Sequence, residues 1–406
     1  MPSLRRVTAD DEPEGGRCSF CGRGLSPDGL LIAGDEAAIC DHCIAACTEL
    51  AADDPGSGAE DVETWDDEAG PDRTPADPRV FFRLIGEADV ARLLSIDDLI
   101  AALPAALQAY SLGQLVQPLR TVLPFGDAGG ALWLMPAYLR RQDVLGAKLV
   151  TVAPANAALD LPSHLATMLL FSPRTGALVA VMDGRLLTEL RTAAASALSA
   201  RLLARGDATR LAIVGSGVQA RSHLLALERV AALERATVWS PTAEHVSAFL
   251  DEMSPVASTP LHGADSAEEA VVDADIVVLA TSSSQPVVRS EWVRDGAHVI
   301  GIGACRPDQR EMDPALVARG ALYVDSREAA LAESGDIIQG LRDGHFDESH
   351  IVGELGQLIA GAVSGRRSPS DVTVFKSLGL AVEDLVAADL VYRRAVAEHL
   401  GRELEF

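Results

Sequence analysis

The 406-residue chain predicts an α/β fold: a doubly wound parallel sheet, an α+β portion built from separated segments, and a small metal-organised module at the amino terminus. Three observations carry this expectation. From Arg210 onward, short Val/Ile-rich runs (RLAIVGSG, ATVWS, ADIVVLATS, AHVIGIGA, ALYVDS) alternate with helical stretches, the pattern of strands buried on both faces. A glycine turn, VGSGVQA, joins the first of these runs to a helix. Cys18, Cys21, Cys40 and Cys43 form two C-x-x-C pairs ahead of all of it.

The cysteine pairs have the spacing of a tetrahedral zinc site, and the metal would supply folding energy that so short a segment lacks. Four thiolates close the coordination sphere, so one structural Zn2+ is expected, with no position left for water. Cys47 is expected to be a core thiol, and Cys305 stands apart. Crowded cysteines of this kind indicate reduced thiols and metal rather than disulfides. Between Leu50 and Arg79 the chain reads AADDPGSGAEDVETWDDEAGPDRTPADP, which cannot bury enough surface to offset its ordering entropy and is expected to be an acidic, self-repelling linker. Met1 to Gly16 is too polar for a signal peptide, and no apolar run is long enough to span a bilayer, so a soluble cytoplasmic protein is expected. A net charge of -25 argues against nucleic acid and anionic membrane as partners, while 48% hydrophobic residues suffice for a large core. No internal repeat is present.

Beyond the linker a helix is expected behind Ser95, with Asp97 and Asp98 meeting its dipole in the first turn. The turn at Gly215, Gly217 and Ala220 then defines a Rossmann-type dinucleotide site. The first glycine permits the tight turn, the second admits pyrophosphate to the backbone, and the small third residue lets helix and strand pack closely. Where an acidic residue would bind the adenosine ribose, the chain has Ser240-Pro241-Thr242. With no carboxylate to repel a 2'-phosphate and two hydroxyls able to donate to it, NADP(H) is favoured over NAD(H). Ser240 and Thr242 could equally cap a helix, which is compatible with either cofactor.

Two resemblances follow from longer phrases. CSFCGRG, LIAG and ICDHCIAAC, within Arg17 to Leu50, resemble the zinc-binding domain of the ClpX unfoldase. That likeness implies a protein-interaction module; no ATPase P-loop follows, which excludes an unfoldase. MPAY, GAKLVTVAPAN, TGALVAVMDGRLLTELRTAAASALSA, VGSGVQAR, RPDQREMD, VDSREAAL and VFKSLGLAVED resemble the ornithine cyclodeaminase/mu-crystallin family over about Val80 to Leu400. The resemblance implies a homodimer with a discontinuous substrate and dimerisation domain. The expected division is a zinc module at 15–50, a linker at 51–78, a substrate domain at 79–200 and 366–402, and a dinucleotide domain at 201–365.

Substrates of such enzymes are 2-amino or 2-imino acids, for which a bidentate guanidinium is the natural carboxylate holder. Arg120 and Arg191 match the family positions that do this, and Leu378 falls beside the substrate. Lys148, in an otherwise apolar strand, matches the active-site lysine; without the family it could be a snorkelling edge residue. Ser163, Thr192, Val218, Gln219, Thr281, Gly301 and Arg306 fall where the family contacts the dinucleotide. One departure separates chemistries. Cyclodeaminases carry an aspartate where this chain has Cys305, and Gln309 replaces the lysine that follows it. A thiol cannot bind an ammonium and move its proton as a carboxylate does, and Asp308 lies out of phase. The resemblance therefore implies a ketimine reductase or amino-acid dehydrogenase before a cyclodeaminase, with opine-type coupling and a non-catalytic dinucleotide binder as alternatives.

Overall fold

The computed structural model describes residues 79–406 except 127, 128 and 160, together with the backbone of short strands at Arg5–Val7, Leu31–Ala33 and Ala38–Cys40. The chain divides into two compact units, residues 1–72 and 73–406. In the first, the three strands form an antiparallel sheet with Arg5 opposite Ala33 and Leu31 opposite Cys40. Cys18, Cys21 and Cys43, the Cys40 side chain, Cys47 and the acidic segment 51–78 lie outside the described residues.

The second unit contains two sheets. Eight parallel strands run in the spatial order Leu261–Gly263, Arg235–Trp239, Arg210–Val214, Ile276–Leu279, His298–Gly301, Thr373–Lys376, Ala321–Val324 and Ile351–Glu354. The central strands are buried along their length, as their unbroken apolar runs require. Arg210–Val214 begins the sheet near its middle and successive strands build outward on one side before the chain crosses to the other. That reversal creates a switch point at the carboxyl ends of the strands, where open α/β sheets bind ligands.

The other sheet is mixed, in the order Arg402–Glu405, Phe81–Ile85, Leu178–Asp183, His164–Phe171, Val144–Val152, Gly130–Leu139 and Thr121–Phe125. All its neighbours are antiparallel except Phe81–Ile85 with Leu178–Asp183. The helix expected behind Ser95 spans Ile96–Ser111, and Ser95 with Asp98 forms a complete capping box. Arg394 of the helix Ala381–Ala397 donates to both oxygens of Asp98 at 2.6 and 2.7 Å, fastening the two helices together. No described helix is long and apolar enough to cross a membrane.

The structure moves the expected boundary at 366. Thr373–Lys376 is an interior strand of the eight-stranded sheet, and only at its N-cap Leu380 does the chain begin the long carboxy-terminal helix. A four-residue strand abutting a helix reads in sequence as a single phrase, VFKSLGLAVED. The final strand Arg402–Glu405 likewise extends the second sheet past 402.

One helix, Arg185–Leu203, serves both halves. Its residues Ala193–Ala200 are all buried. Ser196 Oγ lies 2.8 Å from His223 Nε2, and Ser199 Oγ lies 3.1 Å from His298 Nε2. Burial pulls the two imidazoles down to about 4 and about 3, so both are neutral in the folded protein. An unfolded chain binds those protons below about pH 6.5, so each histidine contributes stability that is complete above that pH and declines in acid. The contribution can be read by difference. The gap in unfolding free energy between wild type and His223→Gln should shrink by about 1.4 kcal/mol per pH unit from 6.5 down to 4. Urea titrations across this range test it; a constant gap would mean that His223 is not held neutral.

Candidate active site

The glycine turn has the geometry its sequence predicts. Gly215 has φ +113°, and a Cβ there would stand 2.4 Å from the Ala280 carbonyl oxygen, so no side chain fits. Gly217 caps the ten-residue helix Val218–Leu227, and a Cβ on it would meet nothing within 4 Å, which leaves open space at the helix amino terminus. Ala220 is fully buried at the helix–sheet contact. Gln219 carries a buried Oε1 with no hydrogen-bond partner among the described residues. An open amide terminus with small residues beneath it fits the pyrophosphate of a dinucleotide. Ser240 is buried, and Thr242 is the N-cap of Ala243–Met253 without a side-chain cap bond, so capping does not consume its hydroxyl.

Other expected cofactor positions have local commitments. Thr281 donates through its amide (2.6 Å) and hydroxyl (2.9 Å) to Glu311, so its side chain organises the loop. Gly301 ends its strand, buried. Arg306 forks onto Asp308 at 3.1 and 2.9 Å. Ser163 Oγ is 3.0 Å from His164 Nδ1, and Thr192 donates to the Thr188 carbonyl at 2.7 Å. Val218 is about half exposed at the helix start. Sequence reasoning missed Glu311 itself, whose other oxygen accepts the amides of Gly303 (2.6 Å) and Ala304 (2.9 Å). Burial, resisted by Lys376, pushes its carboxyl up to about 7. Lys376 is fully buried and lies 3.1 Å from Asp336, which also accepts the amides of Glu311 and Met312. A lysine in the apolar run TVFK was the available signal, the same one that singled out Lys148.

One strand of the second sheet and two helices, Arg185–Leu203 and Ala381–Ala397, supply the charged cluster. Lys148, from Val144–Val152, is 2% exposed, with Nζ 2.6 Å from Asp384 and 3.4 Å from the Thr188 hydroxyl. Burial pulls its ammonium down to about 8 against the attraction of Asp384. Arg191 donates from Nε to the other oxygen of Asp384 at 2.8 Å and from Nη1 to Glu383 at 2.6 Å. Burial opposes its charge, but those two carboxylates outweigh it and hold the guanidinium above its ordinary value. Glu383 is pushed up to about 7 by burial, against the pull of Arg191.

Arg120 is placed by four groups. Nε is 2.8 Å from Glu333, Nη2 donates to the carbonyls of Leu378 (3.0 Å) and Gly379 (3.3 Å), and the guanidinium lies over the Trp133 ring. Asp325 in turn accepts the amides of Leu378 and Gly379 at 2.6 and 2.7 Å. Leu378 therefore contributes backbone groups to this framework. Gly379, at φ +82°, packs so close to Arg191 that a Cβ would stand 2.5 Å from Nη1. The loop Ser377–Leu380 thus brings both arginines together.

Neither arginine keeps two adjacent nitrogens unpaired, as a bidentate clamp requires. Arg191 spends Nε and Nη1 on Glu383 and Asp384, and Arg120 spends Nε and Nη2 on Glu333 and two carbonyls. Each retains one terminal nitrogen, Arg120 Nη1 and Arg191 Nη2, with no partner among the described residues. Arg120, Tyr110, Gln117, Met135, Glu333 and Leu380 line one cavity. Cys305 donates its thiol to the Ile302 carbonyl at 3.2 Å, and burial raises its pKa, so it remains a neutral thiol. Asp308 is exposed and paired with Arg306.

A doubly wound sheet entered through a glycine turn, joined to a second sheet against which two helices complete a buried lysine–arginine–carboxylate cluster, defines a dinucleotide-binding α/β protein. The chain belongs to the ornithine cyclodeaminase/mu-crystallin family, whose model matches residues 83–399. A ClpX C4-type zinc finger model matches residues 16–53. The chain is 42% identical over 297 residues to the ketimine reductase mu-crystallin of Mus musculus, covering 72% of this chain and 91% of that one. Its fold resembles Thermococcus litoralis Delta(1)-pyrroline-2-carboxylate reductase solved with NADH and L-proline (TM-score 0.78, 37% identity, 79% of this chain and 99% of that one). It also resembles an archaeal alanine dehydrogenase dimer with bound NAD (TM-score 0.76, 32% identity, 80% and 99%).

Proposed function

We propose that this protein is an NAD(P)H-dependent oxidoreductase that reduces a cyclic 2-imino acid to the 2-amino acid. One observation carries the reading: Asp384 joins Lys148 and Arg191 in a single buried cluster, at 2.6 and 2.8 Å, beside Arg120. Arg120 Nη1 and Arg191 Nη2 would receive the substrate carboxylate from two directions. Lys148, brought down to about 8, is an ammonium at neutral pH with a proton it can release, and it would hydrogen-bond or protonate the imine nitrogen. Asp384 keeps that ammonium charged and aimed. When bound, the nicotinamide supplies the hydride to C2. The protein's share is orientation and charge.

The absence of a carboxylate at Ser240-Pro241-Thr242, with the Thr242 hydroxyl uncommitted to capping, supports NADP(H) over NAD(H). Neutral Cys305 argues against cyclodeamination. A homodimer is supported by the outward-facing apolar side chains Val122, Leu123 and Phe125 on the edge strand Thr121–Phe125, and by the dimer reported for the archaeal relative. The amino-terminal module is read as a protein-recruiting element with one structural zinc held by Cys18, Cys21, Cys40 and Cys43, in a cytoplasmic protein. A second reading, reversible deamination of a small amino acid, is favoured by the likeness to alanine dehydrogenase.

Cofactor oxidation by purified protein tests these readings. With NADPH or NADH, a five- or six-membered cyclic ketimine carboxylate should turn over, with the lower KM for NADPH. Turnover only with pyruvate and ammonia would instead establish the dehydrogenase. Silence with dinucleotide binding intact would leave a non-catalytic binder.

A further inference from the structure

Glu333 is the one carboxylate in the cavity whose partner is also a proposed substrate anchor. It lies 2.8 Å from Arg120 Nε, and its side chain is only 16% exposed. Arg120 could satisfy its remaining geometry without Glu333, because Trp133 covers one face and two backbone carbonyls hold Nη2. Glu333 therefore adds something beyond placement: it neutralises much of the guanidinium's charge from the Nε edge and sets a carboxylate among the groups that line the cavity. Charges this close, shielded from water, interact strongly. The other lining groups include no second basic residue to compensate; Tyr110, Gln117, Met135 and Leu380 are all uncharged.

We propose that Glu333 is a specificity-determining residue of this pocket, weakening the grip on a single carboxylate and rejecting ligands that carry a second one. The proposal rests on Arg120 as a carboxylate anchor. A substrate carboxylate at Nη1 shares the guanidinium with Glu333, so affinity is held down and the amino-acid product can leave. A second carboxylate in the cavity would face Glu333, whose ion-pair partner Arg120 already holds the first, a repulsive device for selectivity.

The matched probes are pyrrole-2-carboxylate and pyrrole-2,5-dicarboxylate, titrated calorimetrically into full-length protein saturated with NADPH. Wild type should prefer the monocarboxylate. Glu333→Gln, near in shape and uncharged, should bind the monocarboxylate several-fold tighter and cut the preference about tenfold. An unchanged preference, or weaker binding of both probes, would show that Glu333 only aims Arg120 and would overturn the proposal. Arg120→Met separates the two layers: unaltered binding of both probes would mean that Arg120 is no anchor, and the functional reading would fail with the inference. Thermal midpoints identify a variant that binds poorly because it is unfolded. In that event Glu333→Ala, which also removes the charge, must lower the preference in the same way or the proposal falls.

Discussion

Lys148→Met should lose at least about a hundredfold in kcat, the scale expected when a positioned proton donor is removed. The substitution keeps an unbranched side chain of similar length in a strand whose neighbours are mostly apolar. It also leaves Asp384 with a partner, because Arg191 Nε still donates to it at 2.8 Å. The fold should consequently survive, and the deficit should fall on turnover. A kcat within tenfold of the parent, in a variant whose thermal midpoint is unchanged, would remove Lys148 from its assigned role. The parent's rate should also fall above about pH 8, as the ammonium gives up its proton.

Arg191→Met should damage both stability and activity. Glu383 and Asp384 are wholly buried, and Arg191 contacts both; without it, Lys148 is the remaining close cation and touches only Asp384. Leaving a buried charge without its partner costs about 3–5 kcal/mol. The sign of the pH dependence follows from Glu383. Burial already raises this carboxyl to about 7, and without Arg191 it rises further. A folded-state pKa above the unfolded value means stability that is retained in acid and lost as pH rises. Urea unfolding should therefore show a larger deficit at pH 8 than at pH 6. A loss below about 1 kcal/mol at both values would mean that the cluster contributes little to the fold. Arg191→Lys should rescue only in part, since a point charge cannot reproduce the planar fork that reaches two carboxylates.

The parts of this protein legible in its sequence are those whose physics is local. A glycine turn between a strand and a helix announces Gly215, and a helix start at Ser95 announces itself through Asp97 and Asp98. Lys148 stands out because a charge in an apolar strand needs an explanation. The partners were not legible. Glu383 and Asp384 occupy the first turn of their helix, where acids are ordinary, and nothing in VEDLV shows that they reach Arg191, nearly two hundred residues earlier. Glu333 closes a short helix in an alanine-rich phrase and becomes noticeable only when Arg120 arrives from the segment just before the strand Thr121–Phe125. The strand Thr373–Lys376 falls beyond the boundary expected at 366 because strand insertion order is a property of the whole sheet.

The helix Arg185–Leu203 has a further consequence. Arg191 faces the charged cluster, while Ser196 and Ser199, five and eight residues on, are bonded to His223 and His298 of the nucleotide half. At 1.5 Å per residue those intervals are about 7.5 and 12 Å along the axis. The helix is thus a ruler: the spacing between the Arg191 guanidinium and the serines that meet the nucleotide half is set by backbone pitch. That spacing belongs to the helix and owes nothing to the length of the loops that connect the two sheets.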